Sequence, residues 1–210
     1  MTIDELCERE ETGFLHRSSS VALRAPEMEG TPHARVEQHV IFVAFLKRGL
    51  SVPVSDFVLQ LVKWYGIQLH HLTPRSIAYM SCFVAFCEGY LGIRPNLGLW
   101  RFFFFLSGQI RGEGHEDRFC GVVSVVPRWS KLLGLELTPD EEACGQTFFY
   151  CSVTPSTDEE FGLPPFTWGL PVSRDHWDLQ LPADRPDMER LRVRLEKLLN
   201  DDLTGLDLFM

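Results

Sequence analysis

Along the first 32 residues no apolar period is sustained: three serines (Ser18, Ser19, Ser20) are followed by Pro26, Gly30 and Pro32, which predicts a mobile polar arm. Residues 33–210 then read as one globular domain. Thr31 as cap, Pro32 in a first turn and the stripe Val36, Val40, Val43 and Ala44, ended by Gly49, predict a first helix. Ser55 opens a second, about ten residues long, with Phe57, Val58, Leu61, Val62 and Tyr65 inward and Gly66 as its left-handed stop. Thr73 and Pro74 repeat the start signal. Ile77, Met80, Cys82, Phe83, Val84 and Phe86 make the third helix apolar almost all round, as expected of a central helix, and Gly92 ends it. Leu97 to Leu106 contains four successive phenylalanines that fit no single period, and it is assigned to a fourth helix over a buried strand.

Beyond this helical core, 33–107, the pattern changes. Ser107 to Arg118 is glycine-rich and charged, a surface loop. Phe119–Val126 and Thr147–Val153 are β-branched and aromatic, and are expected to pair as a small antiparallel ribbon over 119–153, packed on the helices. Residues 154–186 hold six prolines with Trp168 and Trp177, an extended strap pinned by its aromatics. The segment 187–200 is amphipathic, with Met188, Leu191, Leu195, Leu198 and Leu199 on one face, and predicts a C-terminal helix. The fold class is therefore mostly α with a small antiparallel β element, an α+β domain.

Composition narrows the function classes more than it names one. With 210 residues, 45% hydrophobic and 23% charged, the chain is an ordinary folded domain, neither coiled coil nor disordered. The net charge of -9 argues against general polyanion binding. That average hides an asymmetry: residues 1–30 sum to about -4, 31–135 to about +5 and 136–210 to about -10. Either oppositely charged segments dock on one another, or the acidic flanks mask a basic surface formed by Lys47, Arg48, Lys63, Arg94, Arg101 and Arg111. Met1 to Glu11 has no apolar signal region, so the six cysteines are expected as reduced, intracellular thiols, with Cys82, Cys87, Cys120 and Cys151 in the core. No apolar run reaches the 18 to 20 residues of a membrane span, and the expected location is cytoplasm or nucleus.

Candidate chemistry is sparse. The chain has no nucleophile elbow, P-loop, dinucleotide fingerprint or H-E-x-x-H pair. Residues 31–112 offer only Glu37, Asp56 and Glu88 as carboxylates, too few for a metal-dependent nuclease. Asp158, Glu159 and Glu160 read as a solvated loop. His70 and His71, adjacent in the turn before the third helix, lack the spacing of a zinc site with Cys82 or Cys87, and packing or capping is the favoured role. Apolar surroundings should raise the Cys87 pKa, which disfavours a thiol nucleophile. No enzyme activity, cofactor or metal is expected.

One stretch is specific. Tyr65-Gly66-Ile67-Gln68-Leu69-His70-His71-Leu72-Thr73-Pro74, then Phe86-Cys87-Glu88, Leu91-Gly92-Ile93 and Leu99-Trp100-Arg101-Phe102-Phe103, resembles the plant gypsy-type transposon domain. The likeness extends upstream through Phe45-Leu46, Arg48-Gly49-Leu50 and Pro53, and more loosely over about 36–208. The resemblance implies an origin in long-terminal-repeat retrotransposons and carries over no catalytic residue. Physically, Tyr65, Gly66, Gln68, His70, His71, Thr73, Pro74, Glu88, Gly92 and Trp100 read as determinants of the fold. The expectation is a non-enzymatic, retrotransposon-derived protein acting through protein contacts, as gag-like self-association or as a domesticated plant interaction module. Nucleic-acid binding through the basic middle is the alternative.

Overall fold

The computed structural model describes residues 21–26, 32–35, 38–108, 120–128, 147–153, 163, 166–167, 169, 176–179, 190 and 193. The elements are β1 (Val21–Arg24), β2 (His39–Phe42), α1 (Val43–Leu46), α2 (Asp56–Tyr65), α3 (Pro74–Ala85), α4 (Leu97–Phe103), β3 (Phe104–Gly108), β4 (Val123–Pro127) and β5 (Phe148–Val153). A 3-10 turn, Leu69–His71, precedes α3, and a π-helical segment, Phe86–Leu91, continues it. Among the described residues two small antiparallel sheets accompany the four helices α1 to α4, so the domain is mixed α+β. The predicted C-terminal helix lies outside the described residues apart from Arg190 and Val193, both exposed.

Two helices follow the sequence punctuation closely. Ser55 occupies the N-cap position of α2, although its side chain makes no cap hydrogen bond, and Gly66 closes the helix at φ 62°. That left-handed backbone is open to glycine and strained for other residues. Thr73 caps α3, its hydroxyl accepting from the Ser76 N–H, with Pro74 in the first turn. The helix widens into the π segment before Gly92 stops it at φ 65°.

The β structure is larger than the pattern predicts. Where a first helix is expected, Val40, Ile41 and Phe42 are consecutively buried in β2, and only the single turn α1 follows. A run of β-branched and aromatic side chains suits a strand with both faces covered, and pairing with β5 overrides the weak helical stripe. Val21–Arg24, part of the expected mobile arm, forms β1 on the other side of β5. The strand order is β1-β5-β2. The segments expected to form one ribbon therefore do not pair with each other. β5 is the central strand of the first sheet, while β4 pairs with β3, Phe105 opposite Val126 and Ser107 opposite Ser124.

The phenylalanine run divides between two structures. Asn96 caps α4 by accepting from the Leu99 N–H, Phe102 and Phe103 stay helical, and Phe104 turns extended (φ -132°, ψ 158°) to begin β3. Four successive rings cannot share one helix face. Switching to the two-residue period of a strand buries Phe104 and Leu106 and turns Phe105 partly outward. Ser107 and Gly108, expected in the surface loop, thereby become the end of β3.

Trp100 is fully buried at the centre, stacked on Phe104 at 4.3 Å and meeting Phe83 and Phe57 edge-on at 5.3 and 5.8 Å. Ser76, also without exposure, joins α3 to β4: its hydroxyl accepts from the Val125 N–H at 2.8 Å and lies 2.8 Å from the Thr73 hydroxyl. Ser76→Ala leaves the buried Val125 N–H without that acceptor. It should lower the unfolding free energy by about 1–3 kcal/mol, measured by urea denaturation.

Candidate strap-docking site

The residues between α2 and α3 form a buried turn whose peptide groups find partners elsewhere in the chain. Gly66 reverses the backbone after Tyr65, the 3-10 turn brings Leu69, His70 and His71 inward, and Thr73 restarts the helix. The His70 carbonyl accepts from the Gly121 N–H at 2.9 Å, and the Thr73 N–H donates to the Val123 carbonyl at 3.0 Å. One side of the turn is thus held by the start of β4. Its other side is held by residues about a hundred positions later.

Two parts of the expected strap dock there. The Gln68 side-chain oxygen accepts from the Thr167 N–H at 3.0 Å, the His71 Nε2 meets the Gly169 carbonyl at 2.8 Å, and the His70 ring packs on Phe166 with centroids 5.0 Å apart. Further along, Trp177 is buried, with its indole N–H donating to the Tyr65 carbonyl at 3.3 Å. The Leu106 N–H of β3 donates to the Trp177 carbonyl at 3.0 Å. Two arginines flank this anchor. Arg101 donates to the Leu179 carbonyl at 3.1 Å and lies over the Trp64 ring, 5.1 Å from its centroid. Arg128 donates to the Asp178 carboxylate at 2.9 Å and to the Asp178 carbonyl at 3.3 Å, while its Nε donates to the Arg101 carbonyl at 3.1 Å.

The histidines are held neutral. His71 Nδ1 accepts from the Gln68 N–H at 3.0 Å, so the ring proton sits on Nε2 and is donated to Gly169. Burial lowers the His71 pKa, partly offset by the Gly169 carbonyl. For His70, burial first and then the neighbouring His71 lower it to about 3. The rings stand 4.1 Å apart edge-on. A cavity of about 20 Å³ beside His70, lined also by His39, Val40, Leu163 and Phe166, matches one water molecule in size. Among the described residues no cluster of histidines, cysteines and carboxylates has the arrangement of a metal site.

The remaining motif residues lie apart from the strap, except at Tyr65. Tyr65 and Trp100 are buried side by side, the Trp100 N–H outside hydrogen-bond geometry with the Tyr65 hydroxyl, which burial pushes up to about 12. Glu88 lies exposed on the π segment, at a groove of about 270 Å³ lined by Leu50, Val58, Ile77, Met80 and Val84. The residues of the expected basic patch lie on several elements. Lys47 and Arg48 follow α1, Lys63 is on α2, Arg94 lies after the π segment, and Arg101 of α4 is engaged with Trp64 and Leu179. Arg111 lies outside the described residues.

Arg128, Asp178 and Gly169 were not distinguishable as site residues in the sequence, since nothing local marks a surface arginine or a strap carbonyl as a contact. Burial pushes the thiols of Cys82, Cys87 and Cys151 up to about 12 each, which suits packing and not nucleophilic attack. Cys120 departs from expectation: it is half-buried and disulfide-bonded, not a free core thiol.

One comparison agrees with the resemblance over part of the chain. The family model described as "Putative gypsy type transposon" matches residues 40–108, from β2 through β3. The gypsy-type transposon match thus lies in the helical core, over a shorter span than the looser likeness to 36–208. No curated protein and no solved structure matches the chain. No helix among the described residues is long and apolar enough to cross a membrane.

Trp177→Ala should release the strap while leaving α2 to α4 folded. Loss of the buried indole costs about 3 kcal/mol of docking, so hydrogen exchange at the Leu106 amide should accelerate about a hundredfold. Acid should weaken the same site. Unfolded histidines take up protons below about 6.5, whereas His70 resists down to about 3. The unfolded chain then holds more protons, and stability present above pH 6.5 is lost as pH falls towards 3, by up to about 1.4 kcal/mol per pH unit for His70, with His71 acting in the same direction. Thermal melts across that window should show the slope, and the double substitution His70→Gln, His71→Gln should flatten it.

Proposed function

We propose that this is a non-enzymatic, retrotransposon-derived module that works through protein–protein contacts, by self-association or by holding a host protein. The supporting observation is the use made of the family's most specific segment. Tyr65, Gln68, His70 and His71 all contact residues between Phe166 and Trp177, through backbone carbonyls, a side-chain amide and ring contacts. Such groups recognise peptide backbone and aromatic side chains, and neither histidine is tuned for proton transfer near neutral pH. Affinity capture with the tagged full chain should retain a protein, another copy or a different one, in stoichiometric amount. A chain that stays monomeric at every concentration and retains no protein overturns this reading.

A second reading, nucleic-acid binding by the basic middle under an acidic cover, is favoured by one contact: Asp178 neutralises Arg128 while the Leu179 carbonyl engages Arg101. Truncation to residues 33–135 would remove β5, the central strand of the first sheet, so the full chain is needed. Asp178→Asn and Trp177→Ala should increase affinity for DNA or RNA, with the salt slope steepening by about 0.9 for each additional phosphate neutralised on duplex DNA. Unchanged binding across the salt series eliminates it.

A further inference from the structure

We propose that the groove between loop 49–55, α2 and α3 is a docking site for a different protein, and that it takes a segment presenting one large apolar side chain next to a lysine or arginine. This rests on the protein-contact reading above, and it uses residues that none of the strap contacts touch. The groove holds about 270 Å³. Its floor is apolar, with Leu50 on the loop, Val58 on α2 and Ile77, Met80 and Val84 on α3, and Glu88 stands in its lining on the π segment. That volume falls just short of the roughly 300–1,000 Å³ of sites for drug-sized molecules, and suits an inserted side chain. The wall follows from helical period: Ile77, Met80, Ser81, Val84 and Glu88 recur at the three- and four-residue spacing of one helix face, so the apolar surface leads directly to a carboxylate. Val84 remains partly exposed although apolar, and Met80 gives the floor an adaptable side chain.

Charge selects the occupant. The segment 31–112 holds only Glu37, Asp56 and Glu88 as carboxylates, and two of them stand here: Glu88 in the lining, and Asp56 next to Ser55, which also lines the groove. Both are exposed, and neither forms an ion pair among the described residues. Lys47 and Arg48 precede Gly49 at the rim, and neither is in the lining. Among the described lining residues Glu88 therefore carries the only charge, and a cation beside the apolar anchor meets it. The net charge of the chain, -9, acts in the same direction at longer range: it steers a basic partner in and sets two copies of the chain against each other. Glu88 also lacks a role in packing. The π segment buries Phe86, Cys87 and Leu91 and leaves Glu88 outward, in a helical form that is rare and gathers at functional sites.

The probe is a displayed library of short random peptides selected on the full chain. It should enrich sequences in which Leu, Ile, Met or Phe neighbours Lys or Arg. Ser81→Trp puts an indole into the groove at little cost in helix propensity, and should abolish that enrichment. The strongest peptide, made synthetically, should shift the methyl NMR signals of Val58, Ile77, Met80 and Val84. Glu88→Lys should weaken this peptide by about tenfold at low salt and remove most of the salt dependence of its binding. The same peptide with its basic residue changed to Glu should prefer Glu88→Lys to the wild type. Circular dichroism melts establish that both variants are folded. A selection that yields no peptide, peptides whose binding survives Ser81→Trp, or a groove-dependent set without the basic residue overturns the proposal. Wild-type dimers that Ser81→Trp abolishes would put a second copy in the groove and overturn it equally. Affinity capture with the wild-type chain decides the protein-contact reading separately: capture undiminished in Ser81→Trp, with no such peptide selected, removes the groove and leaves that reading standing.

Discussion

A buried turn cannot leave its peptide groups unpaired, and the link between α2 and α3 is such a turn. After Gly66 the chain leaves the helix that would satisfy its own backbone, yet Ile67, Leu69, His70, His71 and Leu72 are all buried. Some partners are local, as for the His71 and Leu72 N–H groups, and others come from elsewhere. The start of β4 takes the His70 carbonyl and the Thr73 N–H, the His71 ring takes the Gln68 N–H, and the strap takes the Tyr65 carbonyl. Helix, sheet and strap are tied together through a few residues because a single 3-10 turn pairs only some of their backbone groups.

The aromatic core supplies the rigid floor for this arrangement. Trp100, Phe104, Phe83 and Phe57 interlock in stacked and edge-on contacts, and the step from α4 into β3 lets successive phenylalanines face different neighbours. β3 then does two things at once: it pairs with β4 and offers the Leu106 amide to the strap. The charge asymmetry of the sequence finds a local expression here. Acidic Asp178 sits on basic Arg128, beside an Arg101 that lies over Trp64. With Asp178 three-quarters exposed, that pair orients the strap more than it stabilises the fold.

Local signals were sufficient for the parts of the fold that depend on neighbours in sequence. Gly66 and Gly92 stop helices because their backbones turn left-handed, and Thr73 with Pro74 starts one because a hydroxyl and a fixed φ suit a first turn. The strands were harder to read. Val40–Val43 satisfies a helical stripe and a buried strand equally, and only the presence of β5 alongside decides between them. Val21–Arg24 looks like polar arm because a four-residue edge strand leaves no period. The two later strands were legible as strands, but their partners were not.

The residues of the site divide in the same way. Sequence alone determined the limits of α2 and the start of α3, the apolar identity of the core, the inert character of the thiols of Cys82 and Cys87 and the Tyr65–Pro74 segment as the most specific feature of the chain. Tertiary structure decided what that segment touches: it brought Thr167, Gly169 and Trp177 onto it and set Arg128 against Asp178. The physical reason is range. Caps and hydrophobic periods act within a few residues along the chain, whereas strand pairing and strap docking join groups about a hundred residues apart, whose complementarity exists only once the chain has closed on itself.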